Sequence, residues 1–162
     1  RMIKKRLIGF VFLLTIGFMA NAAELVTKPR AAGVKETMDK LESIVKAKGL
    51  TVFLRVDHQA NAAKVDLTMP AAQVLIFGNP KMGTSMMKAD IRAGLDLPLR
   101  VLVYEDSEGK TWISYHNPQE LKEDYQLADS PAVAKAEQAL DKMTSVFSRM
   151  LCSSRQSSSL PT

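Results

Sequence analysis

Three short stretches carry the residues with chemical potential. Asp57-His58 sets a carboxylate beside an imidazole at the end of an alternating run, and such a pair can act as a base, a proton switch or a ligand. Neighbouring strand residues point to opposite faces, which favours a structural reading: Asp57 caps a following helix while His58 packs or meets solvent. Gly78-Asn79-Pro80-Lys81-Met82-Gly83-Thr84 resembles a loop that offers backbone N–H groups and one lysine to an anion. Its glycine spacing fits a phosphate loop, but no lysine follows the second glycine, and a tight turn is the simpler account. Met82, Met86 and Met87, with Met69 nearby, form a methionine cluster. Thioethers suit Cu(I), and His58 or His116 are available to join them. Methionine equally fills irregular gaps in cores and pliable interfaces.

No nucleophile context of the Ser/His/Asp kind, zinc-protease motif or haem-attachment motif is present,. Two histidines and one cysteine are too few for a closed zinc site,. We expect no metal or other cofactor, and a ligand- or partner-binding module leads. Copper handling through Met and His, or an enzyme using Asp57 and His58 as its acid/base pair, are the alternatives.

The elements that must position these residues are legible from periodicity. Val34, Met38, Leu41, Ile44 and Val45 recur at helical spacing, and Gly49 ends that helix. Residues 50–57 alternate as a strand, with Val52, Leu54 and Val56 on one face and Thr51, Phe53 and Arg55 on the other,. An alanine-rich helical turn over 58–65 follows. Gln73 to Phe77 reads as a strand buried on both faces or central, cut off by the turn Gly78-Asn79-Pro80. Short helical pieces occupy 84–89 and 91–95. Two strands, 99–105 and 111–115, flank a polar loop with Gly109 and form a hairpin,. Ser130-Pro131 opens a long helix whose stripe is Val133, Ala136, Leu140, Met143 and Phe147, then Met150 or Leu151,. Leu25 to Thr27 is a weak edge strand. A run of strands with a hairpin, between two helices, predicts an α+β fold: an antiparallel sheet of about four to five strands covered on one face by two helices.

The order and spacing of several pieces resemble a known family. Gly49-Leu50-Thr51-Val52-Phe53 leads to Asp57-His58. Leu75-Ile76-Phe77-Gly78-Asn79-Pro80 is followed by Gly83-Thr84. Leu97-Pro98-Leu99 runs into Val103-Tyr104-Glu105-Asp106, and Trp112-Ile113-Ser114-Tyr115 precedes Asn117-Pro118. Together they resemble the bacterial domain-of-unknown-function family 302 over residues 34–127. The resemblance implies a β-α-β(4)-α sheet similar to the TATA-binding-protein-like fold, often as a homodimer. It implies no reaction, cofactor or catalytic residue, and the fold likeness argues nothing about DNA.

The first 22 residues have the parts of a secretory signal. Lys4-Lys5-Arg6 precede an apolar stretch from Leu7 to Met19, and Ala20-Asn21-Ala22 supplies small residues for cleavage before Ala23. That stretch is shorter than the roughly 18–20 residues of a membrane span, so we expect a periplasmic protein with no stable membrane anchor after cleavage. The 22 bases then lose Arg1, Lys4, Lys5 and Arg6 and become 18 against 17 acids. No basic stripe remains for nucleic acid. The expected organisation is a signal at 1–22, one domain at 23–151, and a serine-rich tail at 152–162 around the lone Cys152, too polar to fold.

The expected ligand site is the place where the second and third strands stop, around Asp57, His58, Asn79 and Lys81. It requires the two strand ends to be neighbours. Antiparallel strands with those ends at opposite edges would separate Asp57 from Asn79 by well over 10 Å, at roughly 3.3 Å per residue.

Overall fold

The computed structural model describes the backbone of residues 25–153 and the side chains of residues 25–146. The expected signal segment with its cleavage point, the side chains of Phe147, Met150, Leu151 and Cys152, and the chain from residue 154 onward lie outside what is described. The chain runs β1 (Leu25–Arg30), α1 (Val34–Ala47), β2 (Thr51–Asp57), α2 (His58–Ala63), β3 (Ala72–Gly78) and α3 (Pro80–Ala89). A 3-10 turn (Ile91–Leu95), β4 (Leu99–Glu105), β5 (Thr111–His116), a second 3-10 turn (Pro118–Glu120), α4 (Leu121–Asp124) and α5 (Pro131–Ser153) complete it. The five strands form one antiparallel sheet in the order β1-β5-β4-β3-β2.

Helix α1 ends as its sequence dictates. Gly49 takes φ +70°, its N–H bonds to Lys46 O at 2.9 Å, and the Leu50 N–H bonds to Val45 O at 3.2 Å. That is a Schellman stop, and glycine meets its left-handed requirement without strain. The chain turns directly into β2. The β4–β5 loop closes on Asp106, whose Oδ1 accepts the N–H groups of Glu108 and Lys110, both at 2.9 Å.

Helices α1 and α5 lie on the same face of the sheet and complete one apolar core. Val34, Met38, Leu41 and Val45 of α1 and Leu140 and Met143 of α5 meet Leu75, Phe77, Val101, Val103, Ile113 and Tyr115 of the central strands. Basic side chains tie each edge strand to a helix, and on β1 Arg30 also donates to the Thr144 carbonyl of α5. Lys28 of β1 reaches Asp141 at 2.7 Å and Thr144 at 2.8 Å. Arg55 of β2 reaches Asp39 at 2.6 Å and Glu42 at 3.0 Å. A second, smaller cluster joins Met86, Ala93, Leu121, Leu127, Ala132 and Val133, so α5 runs through both.

Two expectations about faces need correction. The register of β2 shifts between Val52 and Leu54, a bulge that adds one residue and reverses the alternation beyond it. Val52 and Arg55 therefore share the helix-covered face, while Leu54 and Val56 point to the other. Strand β3 is interior in the sheet, but only Leu75 and Phe77 are fully buried. Val74 and Ile76 stand half-buried on the face that neither long helix covers.

Candidate functional site

The four expected site residues do not come together. Asp57 lies opposite Gln73, whereas Asn79 follows Gly78, which lies opposite Thr51 at the far end of the strand pair. Six residues of strand between Gln73 and Asn79 amount to about 20 Å. The shared site is not formed, because β2 and β3 are antiparallel and their stops fall on opposite edges. Asp57 caps α2, Oδ1 accepting the Ala60 N–H at 2.9 Å, while Oδ2 accepts from Gln73 Nε2 at 2.8 Å. His58 opens α2 in solvent. Asn79 caps α3, its Oδ1 accepting from the N–H groups of Lys81 at 3.0 Å and Met82 at 3.3 Å. Pro80 takes the first helical position, where its missing N–H is harmless, and the Lys81 side chain is exposed.

The end of the sheet that carries Asn79 holds a crevice of about 300 Å³. Phe53, Met82, Met86, Met87, Leu97 and Pro98 line it, with Gly78, Gly83 and Leu99 between them and Asn79 and Thr84 among its few polar residues. Local sequence explains each wall. The bulge re-aims Phe53, which is 52% exposed. The Asn-Pro start launches α3 directly from β3, and Met82 and Met86, four apart, share a helix face. The 3-10 turn closes behind: a Cβ at Gly94 would sit 3.1 Å from the Met87 sulfur, so the turn packs closely on that thioether.

A second crevice, about 210 Å³, lies on the other side of Leu99. It is polar. Arg100 pairs with Asp96 at 3.3 Å and His116 Nδ1 approaches Glu120 at 3.4 Å. The Tyr125 hydroxyl donates to Asp96 Oδ2 at 2.5 Å, and that bond, with desolvation and the Asp96 charge, pushes its pKa up to about 12. The other oxygen of Glu120 is buried without a partner. Its lining sets three carboxylates, those of Asp96, Glu120 and Asp124, against the Arg100 guanidinium and the His116 imidazole.

The framework around both crevices is pinned by Asp90, whose side chain is only 7% exposed. It caps the 3-10 turn through the Arg92 N–H at 3.0 Å, pairs with the Arg92 guanidinium at 2.7 Å, and accepts the Gln126 N–H at 3.2 Å. The Arg92 side-chain bond, followed by those from the backbone of Gln126 and Arg92, holds its carboxyl well below the usual carboxylate range.

The methionines gather without a histidine. Met82, Met86 and Met87 do line one crevice, and Met86 is also buried in the smaller core at 2% exposure. No histidine lines that crevice: His58 is at the opposite end of the sheet and His116 in the polar crevice. Among the described residues no group of three or more His, Cys, Asp or Glu is placed to hold a metal ion. Tyr115 is buried in the core, while Trp112 lies on the opposite face with its Nε1 donating to Asp106 at 2.7 Å. Sequence reasoning missed Phe53, Leu97 and Pro98. The available signal for α3 was Asn79-Pro80, the same cap-then-proline pattern that opens α5.

Residues 26–150 match the family described as "Domain of unknown function DUF302". The crystal structure of an uncharacterized conserved DUF302 protein from Bacillus stearothermophilus superposes with TM-score 0.61 at 21% identity, covering 77% of this chain and 96% of that one. Among curated proteins, "Fluoride-specific ion channel FluC 1" of Brucella suis biovar 1 (strain 1330) is 40% identical over 110 residues, 68% of this chain and 43% of that protein. The protein of the same name from Brucella abortus biovar 1 (strain 9-941) is also 40% identical over 110 residues, 41% of its length. The chain therefore spans about two-fifths of the curated relatives it matches.

Proposed function

The chain belongs to the DUF302 family, and from that premise we propose that it is an exported binding module whose apolar crevice takes a flat apolar group from a small molecule. The observation that carries this reading is the crevice itself. Its volume of about 300 Å³ stands at the lower end of ligand pockets. It is about twice a cavity known to accept benzene, a size for one fused ring system. Methionine walls adapt to such a guest and offer polarisable sulfur to its ring.

The channel named in the Brucella relatives supports a companion role and not a pore. No helix among the described residues is long and apolar enough to cross a membrane, and the likeness covers 41–43% of those proteins. In them, on this reading, the matched segment accompanies the conducting part. Copper handling has less support, because the methionine crevice lacks a histidine. An Asp57/His58 enzyme has less support too, since Asp57 is committed to capping α2.

Indole is a suitable probe. A guest of this size should bind with a Kd below about 1 mM. Gly83 lines the crevice, and a Cβ there would meet nothing within 4 Å. Gly83→Phe should fill the space and weaken indole at least about tenfold, while replacing a mid-helix glycine leaves α3 no less stable. Calorimetric titration of both proteins checks this; indole binding that is absent, or equal in the two, sinks the proposal. Export has its own test. Expressed with its leader, the protein should be recovered from the periplasm beginning at Ala23 by N-terminal sequencing, and a retained leader with tight membrane association would refute it.

A further inference from the structure

Between α3 and β4 the chain sets its two most exposed large apolar side chains on one short turn. Ile91 is 76% exposed and Leu95 83%, above every other large apolar residue described. Single exposed aliphatics are ordinary. Two within five residues keep apolar area in water that a turn needing only solubility would avoid. The 3-10 geometry accounts for their placement. Residues three apart eclipse one another and neighbours differ by a third of a revolution. Ala93, fully buried, therefore follows Asp90 on the inward side. Ile91 and Leu95 fall on the two remaining sides, Leu95 in line with Arg92. Asp90 holds the turn in this shape: it accepts the Arg92 backbone N–H and Nε, both at 3.0 Å, Nη2 at 2.7 Å, and the Gln126 N–H at 3.2 Å. A turn fixed in this way has little left to order on binding.

The charge left unpaired beside the turn is positive. Lys81 and Lys88 stand with Thr84 and Ser85 along one shallow depression on the outer side of α3. Both lysines are exposed, and no described carboxylate pairs with either. Helix α3 itself has no acidic residue. The neighbouring acids are engaged. Asp90 is 7% exposed and paired with Arg92, and Asp96 takes Arg100 at 3.3 Å and the Tyr125 hydroxyl. Asp124 lines the polar crevice on the other side of Leu99. Exposed aliphatics beside free lysines suit an anionic bilayer: the aliphatics enter the headgroup boundary while the ammonium groups stay among the phosphates.

We propose that this end of the molecule rests reversibly on a membrane surface rich in anionic lipid, with Ile91 and Leu95 inserted and Lys81 and Lys88 at the phosphates. The contact is peripheral, since two side chains and two charges hold a protein far less firmly than a spanning helix. It stands independently of what the apolar crevice binds.

The test uses the chain from Ala23, which retains every described element and omits the apolar stretch from Leu7 to Met19, which could itself hold a vesicle. Co-sedimentation is measured with vesicles of phosphatidylcholine alone and of phosphatidylcholine mixed with phosphatidylglycerol, at about 0.05 and 0.5 M salt. At low salt the partition coefficient should be at least about tenfold higher on the anionic vesicles, and it should fall at least about fivefold at high salt. Ile91→Ser combined with Leu95→Ser should lower it at least about tenfold. Lys81→Gln combined with Lys88→Gln should remove most of the preference for anionic lipid. All four positions are exposed, so the melting temperature should stay within about 2 °C of the parent. A chain that stays in the supernatant with anionic vesicles overturns the proposal, and a protein partner for this turn would give that result. Equal binding to both vesicles overturns it too, as does an aliphatic double variant that binds like the parent. Should a variant misfold, the lipid and salt comparison on the unaltered chain still decides. Indole titration reads the crevice separately, so failure here leaves that reading untouched.

Discussion

Leu140→Asp should lower the melting temperature by about 10 °C or more. Leu140 is 1% exposed and sits in the main core, while one side of it also lines the polar crevice. A carboxylate there replaces buried apolar area and has no base of its own. An unpaired buried charge with the accompanying loss of packing costs roughly 3 kcal/mol or more, and for a domain of this size each kcal/mol shifts the midpoint by about 3–4 °C. Because α5 also carries Val133 of the smaller cluster, the variant should loosen both cores in one transition. Calorimetry decides it: a melting temperature within about 2 °C of the parent would mean that α5 does not pack through this stripe.

The second large effect is expected at Asp90→Asn, with a size that depends on pH. The carboxylate of Asp90 joins Arg92 and the Gln126 backbone, and its folded pKa is depressed. A depressed carboxylate contributes stability above its unfolded pKa, about 3.9, and that contribution is lost as pH falls toward the folded value. At pH 7 the variant should melt roughly 5 °C or more below the parent, and the gap should hold down to about pH 5. Below about pH 4 it should narrow as the parent loses what the variant never had. Paired thermal melts across that range test the sign; a gap that widens in acid would contradict it.

Most of the fold was readable because its signals are local. The Schellman stop at Gly49, the hairpin around Gly109 and the stripe through Val133, Leu140 and Met143 each lie within one element. The element order and the one-sided antiparallel sheet follow from them. The candidate site was poorly readable, because it is built from tertiary neighbours. Phe53 reaches the crevice through a bulge whose existence depends on the register with β3. Leu97 and Pro98 reach it because β4 pairs with β3. Asp57 and Asn79 looked alike as polar strand stops, and only the direction of β3 separates them. Asn79-Pro80 read as a turn although it opens a helix, since a cap and a turn begin with the same two residues.

The pairing of β1 with β5 and the bond from Lys28 to Asp141 bring together residues 113 apart in sequence. A chain that emerges vectorially, from a ribosome or through a translocation pore, must release its last helix before its first strand has both partners. Until then Leu140 and Met143 are absent and Phe77, Val101 and Tyr115 lack their cover. The loop closed by that contact is long, so its entropic cost falls late. A chain delivered from its N-terminus therefore completes this core only once its last helix is available.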